Sequence, residues 1–537
     1  MPQPTPPSAF TPLRHPAFRL LWLANLASNT GMWVQNTGAG WLMTSLAPSP
    51  IMVSLVQAAS MLPVFLLALP SGAMADIVDR RRYLIFAQAW MCAMGLLLCI
   101  LTALGLLGPW GLLALTFAIG AGSAMNFPAW AATTPELVPR ADLTQAIVLN
   151  GIGFNLARAV GPALGGFIIG LAGTQAAFAF NAFCFLILIV ALVLWRREAP
   201  ASRLPKEHFL SAMRAGVRFV GASPALRVII LRAVVFFFFG AAMWGLLPLL
   251  VREGLGLGPE AFGLLLAAMG VGAVGGGLLL PRARARLDRG GLVMAASLLA
   301  SGALLLLGLA PRLALGGWAA AGLGMLLYGA AWIGAASTLQ AAAQLSSPAW
   351  VRARAIGIYQ LSFFGALAFG SALAGWVGTL VGVGWALWGF GACGAAAALA
   401  MRRWRLDQPG PAEVASPAMP QPEAPAAELA PLLAQDRGQV LEMVRYRIDP
   451  ADRAAFLAAM ADLRRARLRS GALSWRLYED VAHPELWVEV WSVGSWTEHL
   501  RENDRLQPAD HAAIARAAVL HRGETGPESA RYIHQSL

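Results

Sequence analysis

From position 17 onward the chain alternates long apolar stretches with short polar ones, and the apolar stretches have the length of a bilayer crossing. A helix that spans the hydrocarbon core needs about 20 mostly apolar residues. Twelve stretches meet that length: residues 17–44, 51–74, 83–107, 110–134, 142–171, 174–195, 226–251, 259–281, 290–310, 314–340, 355–380 and 383–402. The pattern predicts an all-α membrane protein of twelve transmembrane helices. Several of the stretches are rich in glycine, which suits close helix packing in lipid.

Past residue 436 the period changes. Val440 to Ile448 alternates as a strand does, and Pro450 to Arg469 puts Phe456, Met460 and Leu463 on one helical face. Leu473 to Tyr478 and Leu486 to Val493 read as a hairpin around His483-Pro484. Helices over 495–506 and 508–521 then precede a strand near Tyr532. This β-α-β-β-α-β order is the split-βαβ, ferredoxin-like plan of an α+β domain. The predicted divisions are therefore an N-terminal tail 1–16, a six-helix bundle 17–195, a central loop 196–225, a second bundle 226–405, a Pro/Ala-rich linker 406–436 and a soluble domain 437–537.

Composition agrees. The 537 residues have a mean hydropathy of +0.61, 58% are apolar and only 13% are charged, against about 25% charged in soluble chains. From Arg437 to Leu537 the acidic and basic residues cancel, so the formal charge of +12 belongs wholly to the rest. Those basic residues sit in short loops, which sets aside a nucleic-acid reading. Arg80, Arg81, Arg82, Arg140, Lys206, Arg282, Arg289 and Arg352 mark loops of one side, and only Arg252 and Arg312 lie in loops of the other. By the positive-inside tendency both termini are cytoplasmic. The N-terminus lacks a basic segment followed by a short apolar one, so no cleaved leader is expected. The four cysteines lie in apolar runs without zinc spacing, and neither metal, cofactor nor disulfide is expected.

The two halves match at an offset of 209 residues. Asp79-Arg80 corresponds to Asp288-Arg289, Gly120 to Gly329, Pro139 to Pro348, and the run from Gly161 to Gly166 to the run from Gly370 to Gly375. Parallel halves of this kind are one known plan of transporters. Polar groups inside the spans are the candidate chemistry. Asn25, Asn29 and Asn36 share a face of the first span, with Trp33 beside them. Asn126, Asn155, Tyr359 and Gln360 add hydrogen-bonding groups, and Trp244, Tyr328 and Trp332 add aromatic surface. Arg158 is the one formal charge well inside spans one to six, and such a charge needs an interior partner: an anionic substrate, a nearby acid or backbone carbonyls. No carboxylate lies at mid-membrane, and no Walker-type loop for ATP is present.

The loop after span two reads Gly72-Ala-Met-Ala-Asp76-Ile-Val-Asp79-Arg80-Arg81. It resembles the signature of the major facilitator superfamily, Gly-x-x-x-Asp-Arg-x-Gly-Arg-Arg, with Ile77 for the first Arg and Asp79 for the second Gly. Gly161-Pro162-Ala-Leu-Gly165-Gly166 resembles the antiporter signature found in exporters, with Ala157 for its first Gly. The glycines are expected to pack on span eight, at Gly270, Gly272, Gly275, Gly276 and Gly277. Pro135 to Pro139, together with Arg158-x-x-Gly-Pro, is similar to the branch that contains an enterobactin exporter.

The resemblance implies a secondary transporter of the bacterial inner membrane. It would export a small amphipathic metabolite or drug by rocker-switch alternating access, with protons as coupling ion and Asp76 as candidate carrier. Gly72, Asp76, Arg80, Arg81, Gly161, Pro162, Gly165 and Gly166 would gate it. Spans one, four, seven and ten would line the site. The tail resembles antibiotic-biosynthesis-monooxygenase-like domains that pair as α/β barrels, on the run Val488 to Leu500. That resemblance implies a dimer through the tail. Trp475, Trp487, Trp491, Trp496, His499 and His511 could line an apolar pocket there, although His499 is expected at the surface. An active monooxygenase tail, or an importer with a ligand-sensing tail, are the alternatives.

Overall fold

The computed structural model describes residues 10–139, 142–195, 217–313, 316–348, 351–404 and, beyond short pieces of the linker, 438–534 except 507 and 524. The central loop and the linker lie largely outside the described residues. Two compact units result: one holds most of the membrane part, the other the C-terminal tail with 205–229 and 342–358.

The first half contributes α1 (Pro16–Leu46), α2 (Pro50–Ile77), α3 (Arg80–Ala103), α4 (Pro109–Leu137) and α5 (Leu143–Leu194). The second contributes α6 (Pro224–Leu249), α7 (Pro259–Arg284), α8 (Arg289–Leu309), α9 (Gly317–Leu345), α10 (Arg352–Val381) and α11 (Val383–Ala400). Local sequence explains where they start. Proline opens α1, α2, α4 and α7, at the position where a missing N–H costs nothing. Asp79 caps α3 by accepting from the Arg82 amide, and Asp288 caps α8 by accepting from the Gly291 amide. These two caps are the repeat read from sequence, seen again as geometry.

Ten of the described helices are long and apolar enough to cross a membrane. They do not include α1, and they count α5 once. At 1.5 Å per residue the 52-residue α5 is about 78 Å long, more than twice a bilayer core of about 30 Å. It is broken at Gly173, whose φ of 80° and ψ of 174° belong to no helix. Gly382, 209 residues on, has φ 87° and separates α10 from α11. Both positions take the left-handed φ that glycine alone adopts without strain.

Packing repeats with the same offset. Cβ atoms added at Gly120 and Gly329 would run into the carbonyl oxygens of Ser60 and Met269 respectively, which are also 209 apart. The halves meet symmetrically as well: Gly166 lies against Gly263, and Gly375 lies against Ser54. Each of these contacts maps onto the other when the halves are exchanged.

In the tail, β1 (Val440–Arg447), α12 (Arg453–Ser470), β2 (Ser474–Glu479), β3 (Leu486–Val493), α13 (Trp496–Arg505), α14 (Pro508–Val519) and β4 (Glu528–Ile533) follow in order. The sheet is antiparallel with order β2-β3-β1-β4. Phe456, Met460 and Leu463 of α12 are buried against Val444, Trp487 and Trp491. The tail thus has a core of its own.

Candidate functional site

A cavity of about 540 Å³ lies between the two halves of the membrane part. From α1 come Asn25, Asn29, Trp33 and Asn36, on the shared face the spacing implied. From α4 and α5 come Asn126, Asn155 and Arg158, and the second half supplies Trp244, Trp332, Tyr359 and Gln360. Eleven of the twelve residues singled out for substrate therefore converge. Tyr328 does not reach the cavity wall. It is fully buried, with its hydroxyl donating to the Gly240 carbonyl at 2.8 Å and its ring 6.1 Å from Trp332. It braces Trp332 from behind. Reading a tyrosine from its helix number alone could not separate the two faces of α9.

The wall is both polar and aromatic. Gln88 donates to Asn126 at 3.0 Å, and Asn29 donates to the Asn25 carbonyl at 2.9 Å. Trp33 and Trp244 face each other across the halves with ring centres 5.9 Å apart, and Trp332 stands 5.8 Å from Trp244. Phe363 continues this surface, also lining the cavity and 4.4 Å from Phe237. Arg158 donates through Nη2 to Asn155 Oδ1 at 2.8 Å.

The residues expected to gate are placed in two groups. Gly161 and Gly165 pack α5 on α1, at Trp33 and Val34, while Gly166 meets Gly263 of α7. The partner expected for this run was span eight, and α7 is that helix. The contacts differ from the glycines named, because Gly272 and Gly276 face Leu326 and Ala330 of α9 and nothing lies near Gly275 or Gly277. Only Gly270 of that set meets α5, at Ala159. Pro162 presents its carbonyl to Gly263. Arg80 pairs with Glu136 at 2.6 Å and donates to the Ala132 carbonyl, and Arg81 donates to the Leu192 and Val193 carbonyls. Both arginines thus tie α3 to its own half. Gly72 and Asp76 lie outside the described residues as far as their surroundings go.

At the end of the bundle opposite these arginines, more pairs join the halves. Arg252, in the π-helical turn Leu250–Gly254, donates to Thr44 at 2.9 Å and to Ser45, with its guanidinium 5.9 Å from the Trp41 ring. Trp41 stacks on Phe262, the Ile51 amide donates to Thr379, and Ser371 donates to the Ser54 carbonyl at 2.9 Å.

Sequence reading missed Arg232. It is buried, and it donates to the carbonyls of Gly290, Met401 and Trp404. A lone arginine six residues into a predicted span was the available signal.

The tail holds a buried polar network. His499 is only 7% exposed, against the surface position expected, and its Nδ1 lies 2.7 Å from Glu442 Oε1. Glu489 accepts from Trp475, Arg467 and Tyr446, and Glu502 accepts from Trp491, Arg467 and Ser470. Burial, against the pull of Arg467, raises the Glu502 carboxyl to about 7. Burial also raises Glu442 and, helped by Arg531, lowers His499 to about 4. Glu442, His499 and Glu502 bring ligand atoms within 4.8 Å of one another, as a cation would need. Arg467 already supplies positive charge there, with Nη1 3.4 Å from Glu502. Trp487 and Trp491 belong to the core, Trp496 lies against His499, and His511 is half-buried on α14.

This fold and cavity define a membrane transporter. The model of the transmembrane secretion effector family matches residues 7–536, and the chain belongs to that family of major facilitator transporters. It is 28% identical over 348 residues to the uncharacterized MFS-type transporter YfiS of Bacillus subtilis (strain 168), covering 62% of this chain and 80% of that one. It is 26% identical over 378 residues to the enterobactin exporter EntS of Escherichia coli O1:K1 / APEC, covering 68% and 86%. The fold is shared with a bacterial homolog of the human lysosomal transporter Spinster, at a TM-score of 0.55 and 17% identity over 73% of this chain and 95% of that one.

Proposed function

We propose that the chain is a secondary active exporter of a small amphipathic metabolite or drug, of siderophore-like or antibiotic-like chemistry, working by rocker-switch alternating access in a bacterial inner membrane. The observation that carries this reading is the cavity. It lies between two halves related by one offset, it is polar and aromatic, and it is of ligand size. Likeness to a siderophore exporter supports the outward direction. Asn25, Asn29, Trp33, Asn36, Asn126, Asn155, Arg158, Trp244, Trp332, Tyr359 and Gln360 would contact cargo. The Gly161–Gly166 run would be the sliding surface. The contacts at Arg252, Trp41 and Ser54 would close the outer end.

Such a device would cross the membrane twelve times. The break at Gly173 has its counterpart at Gly382, where two helices do separate, and α1 is long enough to span. Both termini would then be cytoplasmic. The family resemblance implies protons as coupling ion with Asp76 as candidate carrier, whereas the cavity wall holds no acid among the described residues.

Cells with and without the protein, loaded with fluorescent amphipathic compounds, test the direction. Lower accumulation in cells that carry it is the expected result. Higher accumulation would make it an importer, and equal accumulation across a broad set of compounds would remove the efflux reading.

A second reading concerns the tail. The sheet face turned from the helices exposes Leu441, Tyr478 and Tyr532, which supports pairing of two tails in the manner of monooxygenase-like barrels.

A further inference from the structure

Among the described residues that line the cavity, Arg158 is the only charged side chain. Its hydrogen-bond partner there, Asn155, is neutral, so the 2.8 Å bond orients the guanidinium without cancelling its charge. Two carboxylates of the first half are engaged at the arginine-bearing end, Asp142 with His15 at 2.9 Å and Glu136 with Arg80 at 2.6 Å, and Glu260 of α7 lies against α5 at Gly170, outside the cavity lining. Arg158 sits midway between Leu143 and Gly173 on the first leg of α5. A cation at that depth is unfavourable unless something neutralises it.

Cargo can do so. A guanidinium takes a carboxylate, sulfonate or catecholate through paired N–H donors. The ring surface of Trp33, Trp244 and Trp332 suits a flat aromatic body next to that charge. Resting on the reading of this cavity as the transport site, we propose that the cargo is an aromatic anion paired with Arg158, and that the membrane potential, acting on this fixed charge, drives its export without a carried proton.

The charge sum over the cycle follows. Loaded with a monovalent anion, the cavity is neutral, and its turn from inside to outside moves no net charge. Emptied outside, it holds +1. Its return carries that positive charge inward, which an inside-negative potential favours. One negative charge leaves per cycle. Each 100 mV then sustains about a fifty-fold gradient of a monovalent anion. Proton exchange at this site would need an acid in the wall, and the charged lining among the described residues is Arg158 alone.

The test uses the purified full chain in strongly buffered vesicles, at equal pH inside and out or with an imposed pH gradient at zero potential. Vesicles are loaded with potassium and either the aromatic anion 8-anilinonaphthalene-1-sulfonate or the aromatic cation ethidium. Valinomycin then sets an inside-negative potential. Anion efflux is expected to rise at least tenfold with the potential, and ethidium is expected not to move. Arg158→Gln should lose anion efflux at every potential and Arg158→Lys should retain it, with size-exclusion profiles showing that both variants are folded. Transport of either probe that follows a pH gradient and ignores the potential would overturn this inference and leave the transporter reading standing. So would anion efflux that survives undiminished in Arg158→Gln. If neither probe moves under any gradient, the transport reading of the cavity falls, and this inference with it.

Discussion

Two arginines inside the spans of the membrane part have opposite settings, and the difference separates a structural charge from a working one. Arg232 gives its N–H groups to the carbonyls of Gly290, Met401 and Trp404 and lies near the Asp288 cap of α8. Two of those carbonyls, Met401 and Trp404, follow the end of α11, and Met401 also accepts from the Trp404 amide. Arg158 meets a single neutral side chain and faces a cavity. Removing the first takes away three hydrogen bonds from a charged donor, each worth about 1.5–3 kcal/mol. Arg232→Met is therefore expected to lower the melting temperature of the detergent-solubilised chain by several degrees. A thermal profile unchanged from wild type would show that the three carbonyls find other donors. Contact geometry also makes Gly263 a sensitive position. A Cβ there would lie 2.8 Å from the Pro162 carbonyl and 2.9 Å from the Gly166 Cα, both backbone atoms that cannot step aside. Gly263→Leu overpacks this seam, at a cost of about 1–3 kcal/mol or more. Cross-linking between cysteines placed at the Arg252 end of the two halves should weaken in that variant and persist in Gly275→Leu, which meets nothing.

At the scale of elements, the tail pairs a sheet with a charged interior, and its stability should depend on pH in a readable way. Glu502, raised from an ordinary 4.5 to about 7, makes the folded tail hold a proton that the unfolded chain has lost. That stabilisation is full below pH 4.5 and fades as pH rises to 7. His499, lowered from an ordinary 6.5 to about 4, works the other way: its contribution is full above 6.5 and is lost as pH falls to 4. Between 4.5 and 6.5 the two slopes oppose, each at most about 1.4 kcal/mol per pH unit. Glu442 is raised by burial and adds to the Glu502 side, while Arg467 and Arg531 stay charged throughout. Amide exchange in β1 and β3 of the whole chain, corrected for intrinsic rates, should show protection that falls as pH rises through that window. In Glu502→Gln, that fall should be lost or reversed. Equal profiles for the two proteins would remove the Glu502 contribution. None of this network was legible beforehand. Glu442 has the inward parity of Val440 and Val444, but a charged residue on a strand reads as solvated until a partner is known. The strands and helices themselves were legible, because alternation and helical spacing are local. The same contrast explains α1. Asn25, Asn29 and Asn36 marked one face correctly and formed the cavity wall, yet a helix that spends its polar groups on a cavity loses the uniform apolarity by which a span is recognised. The break inside α5 was legible as a gap between two apolar stretches, at the glycine where the φ turns positive.

For the molecule as a whole, twofold repetition is the property on which alternating access rests, and its sharpest mark is Gly173 with its counterpart Gly382. If the two positions are equivalent turns, both lie at the same face of the membrane, away from the loops that carry Arg80 and Arg289. The chain then crosses twelve times and returns its C-terminal tail to the side of its N-terminus. Site-directed labelling decides this. Cys92, Cys99, Cys184 and Cys393 are first replaced by serine, and single cysteines are introduced at Thr174, at Val383 and at Leu406. A membrane-impermeant maleimide applied to intact cells is expected to label positions 174 and 383 alike. Position 406 should react only after the membrane is opened. The equivalence matters more than either result alone, since the cargo's exit and the return of the empty carrier need the two halves to exchange roles. Labelling at 383 with protection at 174 would leave α5 as one long helix with its break inside the protein. The halves would then differ in crossing number, and no rocking about a shared cavity could connect the two faces. Reaction at 406 in intact cells would invert the molecule, and with it the sign of the potential acting on Arg158.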